Sequence, residues 1–255
     1  MSAERTIVND NQYELYRRCL ENEYDAIKQI GTQKLLEGSI SIPEISPVID
    51  SRSSLDVYYV PPESLRTAVD TKVLQPATKL FGEIKSRQVV YKPEWLHLST
   101  FILFAAETPE EEKPLYDKIP DYYNAVAEAL STSEPVDIIF NRVIVSPAGI
   151  ILGGMPKNLE IQKTRARLYQ KLYENNLNYW YRRPPFIAHM TLSRWQSELT
   201  PEKAQKLLEF SENLDGQEIW AGTLDTVTLA IGTYAMDPER KITIDEFKLT
   251  KNQEG

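Results

Sequence analysis

Residues 11–36 place Tyr13, Tyr16, Leu20, Tyr24, Ile27 and Ile30 at steps of three and four, the period of a helix with one apolar face. The pattern is lost over 38–54, where Pro43, Pro47 and several serines read as a loop or linker. A strand follows at 55–60, and Pro61-Pro62-Glu63-Ser64 opens a helical stretch to about residue 81, with a break expected at Pro76. Residues 88–105 read as a strand segment and 110–130 as an acidic helix. Two apolar runs, 136–145 and 149–152, are joined by Ser146-Pro147-Ala148-Gly149, the signature of a hairpin. Residues 158–175 predict a helix that buries Leu159, Ile161, Leu168 and Leu172. After the aromatic and basic loop 179–185 comes a strand at 186–195, and Thr200 is placed to cap a helix with Pro201 in its first turn. Residues 218–231 and 241–249 close the chain as strands. This order is not a regular alternation of βα units. It predicts an α+β fold of antiparallel sheets with helices on their outer faces, preceded over 1–54 by a helical extension and linker, the main domain being 55–255.

Two of these strand-like runs contain the chain's only histidines, and each histidine opens the same kind of tripeptide: His97-Leu98-Ser99 and His189-Met190-Thr191. In an extended strand, residues i and i+2 share a face. Each run therefore presents an imidazole beside a hydroxyl, with the apolar residue between them turned the other way. Two such strands facing each other supply one group to take a proton, one to give a proton, and two hydroxyls to hold an anion. That set suffices for phosphoester chemistry. The two copies lie 92 positions apart, as an approximate internal duplication would place them.

Composition narrows the partners. A net charge of −8, a pI near 5.0 and the lack of a long Lys/Arg run argue against a protein that grips long duplex nucleic acid through many phosphates. A small anion or one nucleotide at a chain end remains compatible. Cys19 is the single cysteine, so there is no internal disulfide and no thiolate metal cluster, and its place among Tyr16, Leu20 and Tyr24 predicts core packing. No secretory-type apolar leader and no membrane-length run is present. The expectation is a cytoplasmic monomer without membrane partners, with no metal and no cofactor. Gly153-Gly154 lacks the Lys-Ser/Thr of a phosphate loop and reads as a turn.

The residues His97-Leu98-Ser99 and His189-Met190-Thr191-Leu192-Ser193-Arg194, with the hairpin over 142–152 and the closing strand over 223–231, resemble the 2H phosphoesterase superfamily. That superfamily is named for two His-x-Ser/Thr motifs and includes the RNA ligase-like 2′,3′-cyclic phosphodiesterases. The resemblance covers roughly residues 55–249; an extension of about fifty residues precedes it, and the first motif carries Ser where Thr is commoner. It implies a bilobal α+β fold with one motif from each lobe at a central cleft, and metal-independent opening of a cyclic phosphate on a nucleotide or an RNA end. His97, Ser99, His189 and Thr191 are then the catalytic set. Alternative readings are a ribonuclease trimming RNA 3′ ends and a non-catalytic nucleotide- or RNA-binding module. For substrate binding the candidates are Arg194, Tyr181 and Arg182. Tyr181 and Arg182 immediately precede the second motif strand, where an aromatic can stack on a base and a cation can meet a phosphate. Arg194 ends the motif, but alternation from His189 puts residues 189, 191 and 193 on one face and 194 on the other, so a substrate role needs a bulge or strand end to turn it.

Overall fold

The computed structural model describes residues 2–40, 53–82, 89–106, 108–179, 186–233 and 240–251. Among the described residues, ten strands and six α-helices are arranged as β1 (Ser53–Tyr59), β2 (Val89–Val90), β3 (Leu98–Ala106), β4 (Val136–Ser146), β5 (Gly149–Pro156), β6 (His189–Thr191), β7 (Ser193–Arg194), β8 (Trp220–Leu224), β9 (Thr226–Thr233) and β10 (Ile242–Lys248), with α1 (Ser2–Leu36), α2 (Glu63–Val69), α3 (Gln75–Gly82), α4 (Pro109–Leu130), α5 (Glu160–Glu174) and α6 (Pro201–Leu214) between them. Two four-stranded sheets, ordered β10-β9-β1-β3 and β6-β5-β4-β8, are joined by the short ribbon β2-β7. All their pairings are antiparallel. This is the α+β architecture that the order of elements predicts.

The inner faces of both sheets feed one continuous core. Leu55, Val57 and Tyr59 of β1 and Leu98, Phe101 and Leu103 of β3 join Ile138, Phe140, Val143 and Val145 of β4, capped by Ile161, Leu168 and Leu172 of α5. Alternation leaves Asp56 and Tyr58 of β1, and His189 and Thr191 of β6, on faces turned away from it. The motif side chains thus stand on the faces of the two sheets that are turned away from this core.

The N-terminal helix packs on sheet two. Tyr16, Leu20 and Tyr24 close over Ile144 and Ile151 in a second, smaller core, and Gly31 lies so near β4 that an added Cβ would stand 2.1 Å from the Val145 carbonyl oxygen. The buried stripe runs through Tyr16, Leu20, Tyr24 and Gly31 to Leu35. Ile30 is 49% exposed, and Cys19 is exposed rather than in the core, because both lie beside this stripe rather than on it. Among the described residues no helix is long and apolar enough to cross a membrane.

Several boundaries differ from the sequence pattern for definable reasons. The helical stretch after Pro62 does not break at Pro76. A π-helical turn over Asp70–Leu74, in which the Gln75 N–H reaches back to the Asp70 carbonyl, lets Pro76 follow without its missing donor interrupting the stack. The run over 218–231 is two strands: β8 pairs with β4 in one sheet and β9 with β1 in the other, divided at Asp225. Gly153 and Gly154 are not a turn but the middle of β5, where a side chain on Gly153 would collide with the Tyr24 ring. Thr200 occupies the N-cap position of α6, yet its side chain makes no capping bond.

Candidate active site

The first motif begins one residue before β3. Leu96 and Leu98 are buried while His97 and Ser99 are half-buried on the opposite side. Pro93 starts a 3₁₀ turn ending at Trp95, and this turn aims the Trp95 carbonyl at His97 Nδ1, 2.9 Å away. A carbonyl can only accept, so Nδ1 carries the hydrogen and Nε2 is left with its lone pair. The ring is braced edge-on by Tyr58, with centroids 5.4 Å apart; Tyr58 pairs with Ser99 across the β1–β3 ladder. Two residues along β1, Asp56 is buried and accepts a 2.5 Å hydrogen bond from Ser54. Burial pushes its carboxyl up to about 7.

The second motif is β6 itself, the edge strand of sheet two. Ala188, Met190 and Leu192 are buried, whereas His189 and Thr191 are half-buried, paired with Gly153 and Ile151 of β5. Tyr24 of α1 stands behind this strand, its hydroxyl 2.5 Å from the Ala188 carbonyl oxygen and within reach of the Gly154 N–H at 3.1 Å. An element outside the span of the family resemblance therefore supports the residue before His189.

The two motifs meet at the seam of the sheets. Strands β3 and β6 are in contact, and the ribbon pairs Val89 with Arg194 and Val90 with Ser193, tying the segment before His97 to the segment after His189. The alternation that carries His189 and Thr191 slips here. Leu192 and Ser193 are both buried, and Arg194 returns to the half-exposed side. The cause is a change of partner: Leu192 N–H still bonds to Ile150 of β5, Ser193 turns its hydroxyl to receive the Ile150 N–H, and the chain then pairs with β2. Arg194 thereby comes within electrostatic reach of both histidines. Tyr181 and Arg182 lie outside the described residues.

Electrostatics separate the histidines from ordinary ones. Burial holds His97 below its usual value, partly offset by the Trp95 carbonyl and reinforced by Lys241 and Arg194. His189 is driven down to about 3, first by burial, then by Arg165, Arg194 and His97. Both rings are neutral at pH 7. In a chain of net charge −8, three cations from separate elements thus converge on two imidazoles, an arrangement that favours an anion between them. Among the described residues no group of three or more His, Cys, Asp or Glu is placed to hold a metal ion.

Two participants escaped the sequence reading. Lys241, before β10, sits with its ammonium 5.7 Å from the Tyr58 ring centroid, and nothing in its local pattern marks it. Arg165 had a signal: it shares the α5 stripe with Ile161, Leu168 and Leu172, and a cation in an apolar stripe demands partners. It is 1% exposed.

No protein-family model matches the chain, and no curated protein matches its sequence. Among solved structures, TT0787 of Thermus thermophilus superposes with a TM-score of 0.52 at 16% identity over 78% of this chain and 100% of that one. LigT of E. coli, crystallised with 3′-AMP, gives 0.49 at 16% identity over 79% and 100%. ATU0111 of Agrobacterium tumefaciens, a conserved protein of unknown function, gives 0.49 at 14% over 78% and 85%. The likeness to TT0787 shows a shared fold.

Proposed function

We propose that the chain is a 2H-type phosphodiesterase that opens a cyclic phosphate, of the 2′,3′-nucleotide or RNA-end kind, by acid–base catalysis between two histidines. The observation that carries this reading is the meeting, at one seam between two sheets, of both His-x-hydroxyl segments and of Arg194, a cation that acts on both imidazoles. The catalytic unit is residues 55–255, and residues 1–54 are an extension whose helix supports the second motif. The protein works as a cytoplasmic monomer on small nucleotides or RNA termini, without a cofactor.

In this scheme the phosphate lies between the imidazoles, with Ser99 and Thr191 donating hydrogen bonds to its non-bridging oxygens as charge builds there. His189, the more strongly neutral ring, takes a proton from the attacking water. As the new P–O bond forms, the bond to the ribose oxygen breaks, and His97 delivers its proton to that leaving oxygen. His97 suits the acid role because the Trp95 carbonyl supports the Nδ1–H of its imidazolium, and the bound phosphodiester anion raises its proton affinity. Arg194 and Lys241 balance the phosphate charge. Turnover leaves a phosphomonoester, with the proton moved from His97 to His189.

The test is a screen of 2′,3′-cyclic nucleotides, cyclic dinucleotides, ADP-ribose cyclic phosphate and short oligonucleotides in EDTA. Turnover of a cyclic phosphate that collapses in His97→Ala and in His189→Ala supports the proposal. Activity lost in EDTA and restored by a divalent ion would replace it with metal-assisted hydrolysis.

A further inference from the structure

Buried arginine side chains are rare because the guanidinium must find acceptors for five N–H donors. Arg165 finds them on both motif segments at once. Its Nε donates to the Thr100 carbonyl at 3.3 Å, and one terminal nitrogen donates to Ser99 at 3.1 Å, both on β3. That same nitrogen reaches the Ile187 carbonyl at 2.9 Å, and the other reaches Phe186 at 3.2 Å, on the backbone leading into His189. These four acceptors are main-chain atoms, so what they let the side chain fix is the relative placement of two strands rather than the rotamer of one residue.

We infer that Arg165 is a positioning residue: its planar guanidinium locks the His97–Ser99 strand to the segment entering His189 and so sets the spacing of the two histidines. The inference rests on the proposed function for its kinetic consequence, but its structural content stands without it. The side chain comes from α5, which contributes neither motif, so one rigid fork from a third element holds two edges that also meet through β3–β6 contact and the two-residue ribbon β2-β7. Gln162, three residues earlier on the same helix, adds a 2.7 Å bond to the Phe186 carbonyl. Lysine cannot replace this fork, since one ammonium has three donors and no planar spread.

Burial first keeps His189 neutral, and the charges of Arg165 and Arg194 add to it; Tyr24, behind the strand, stays un-ionised because burial raises its hydroxyl. The two contributions are separable. Arg165→Lys keeps the charge and loses the bracket; Arg165→Met loses both; Tyr24→Phe loosens the Ala188 carbonyl of the same segment and removes no charge. The chain has two histidines, so ring NMR titrations follow each one directly, whatever the substrate. In Arg165→Met the His189 pKa is expected to rise by about half a unit or more, while Arg165→Lys and Tyr24→Phe leave it low. With a cyclic phosphate, kcat is expected to fall roughly 10–100-fold in both arginine variants with KM little changed. An Arg165→Lys protein with wild-type kcat overturns the positioning role, even if Arg165→Met fails to fold. Absence of turnover in the wild type, with the His189 shift present in Arg165→Met, defeats the proposed function and leaves the electrostatic placement of Arg165 standing. An unmoved His189 overturns that placement.

Discussion

Holding His189 neutral has a thermodynamic consequence that can be measured without knowing the substrate. Its folded-state pKa is about 3 against an ordinary 6.5, so below pH 6.5 the unfolded chain binds a proton that the folded chain refuses. Stability supplied by this residue is complete above pH 6.5 and is lost as pH falls through the window from 6.5 toward 3. At pH 5 the loss is 1.5 units at about 1.4 kcal/mol each, close to 2 kcal/mol; the half-buried ring meets some water, which brings the expectation to about 1–2 kcal/mol. Asp56 works in the opposite sense. Its carboxyl is raised from 3.8 to about 7, so the folded state holds a proton that the unfolded state releases, and this residue stabilises increasingly as pH falls from 7 to 3.8. The wild-type curve therefore mixes the two, and the informative quantity is a difference. Urea unfolding at pH 7 and pH 5 should show the wild type losing about 1–2 kcal/mol more than His189→Gln, which keeps a polar side chain of similar reach without a proton to bind. Equal pH dependence in the two proteins would refute a neutral, cation-flanked His189, and with it the assignment of this ring as the base.

Other expectations follow from the same geometry. Replacing His97 or His189 by Ala should lower kcat by roughly 10²–10⁴-fold, and Ser99→Ala or Thr191→Ala by roughly 10–10³-fold; the double histidine variant should fall well short of the product of the singles, as steady-state kinetics on one substrate will show. Arg194→Ala and Lys241→Ala should each weaken phosphate binding, so inhibition by inorganic phosphate should become several-fold weaker. Gly31→Ala forces a Cβ against the Val145 carbonyl and should destabilise by roughly 1–2 kcal/mol despite the better helix former, lowering Tm by a few degrees in a thermal melt.

The α+β class could be read from the order of helical and strand segments, and the shared face of each histidine and its hydroxyl from alternation, because a period of two survives wherever one face of a strand is buried. Where that reading stopped is equally physical. Alternation assumes one partner along the whole strand, and it cannot register a change of partner. At Leu192–Ser193 the chain leaves β5 for β2, the phase slips by one, and Arg194 arrives on the face from which the pattern excluded it. At Asp225 a single apolar run crosses from one sheet to the other with no polar interruption long enough to mark the change. Arg165 shows the complementary failure. Its place in the α5 stripe was visible, but its acceptors are carbonyls of Ser99, Thr100, Phe186 and Ile187, and backbone oxygens leave no trace in side-chain patterns. The two motifs announce themselves because the chemistry proposed for them belongs to side chains; the residue proposed to set the distance between them binds main chain, which every sequence possesses, and so becomes visible only when the fold brings that main chain together.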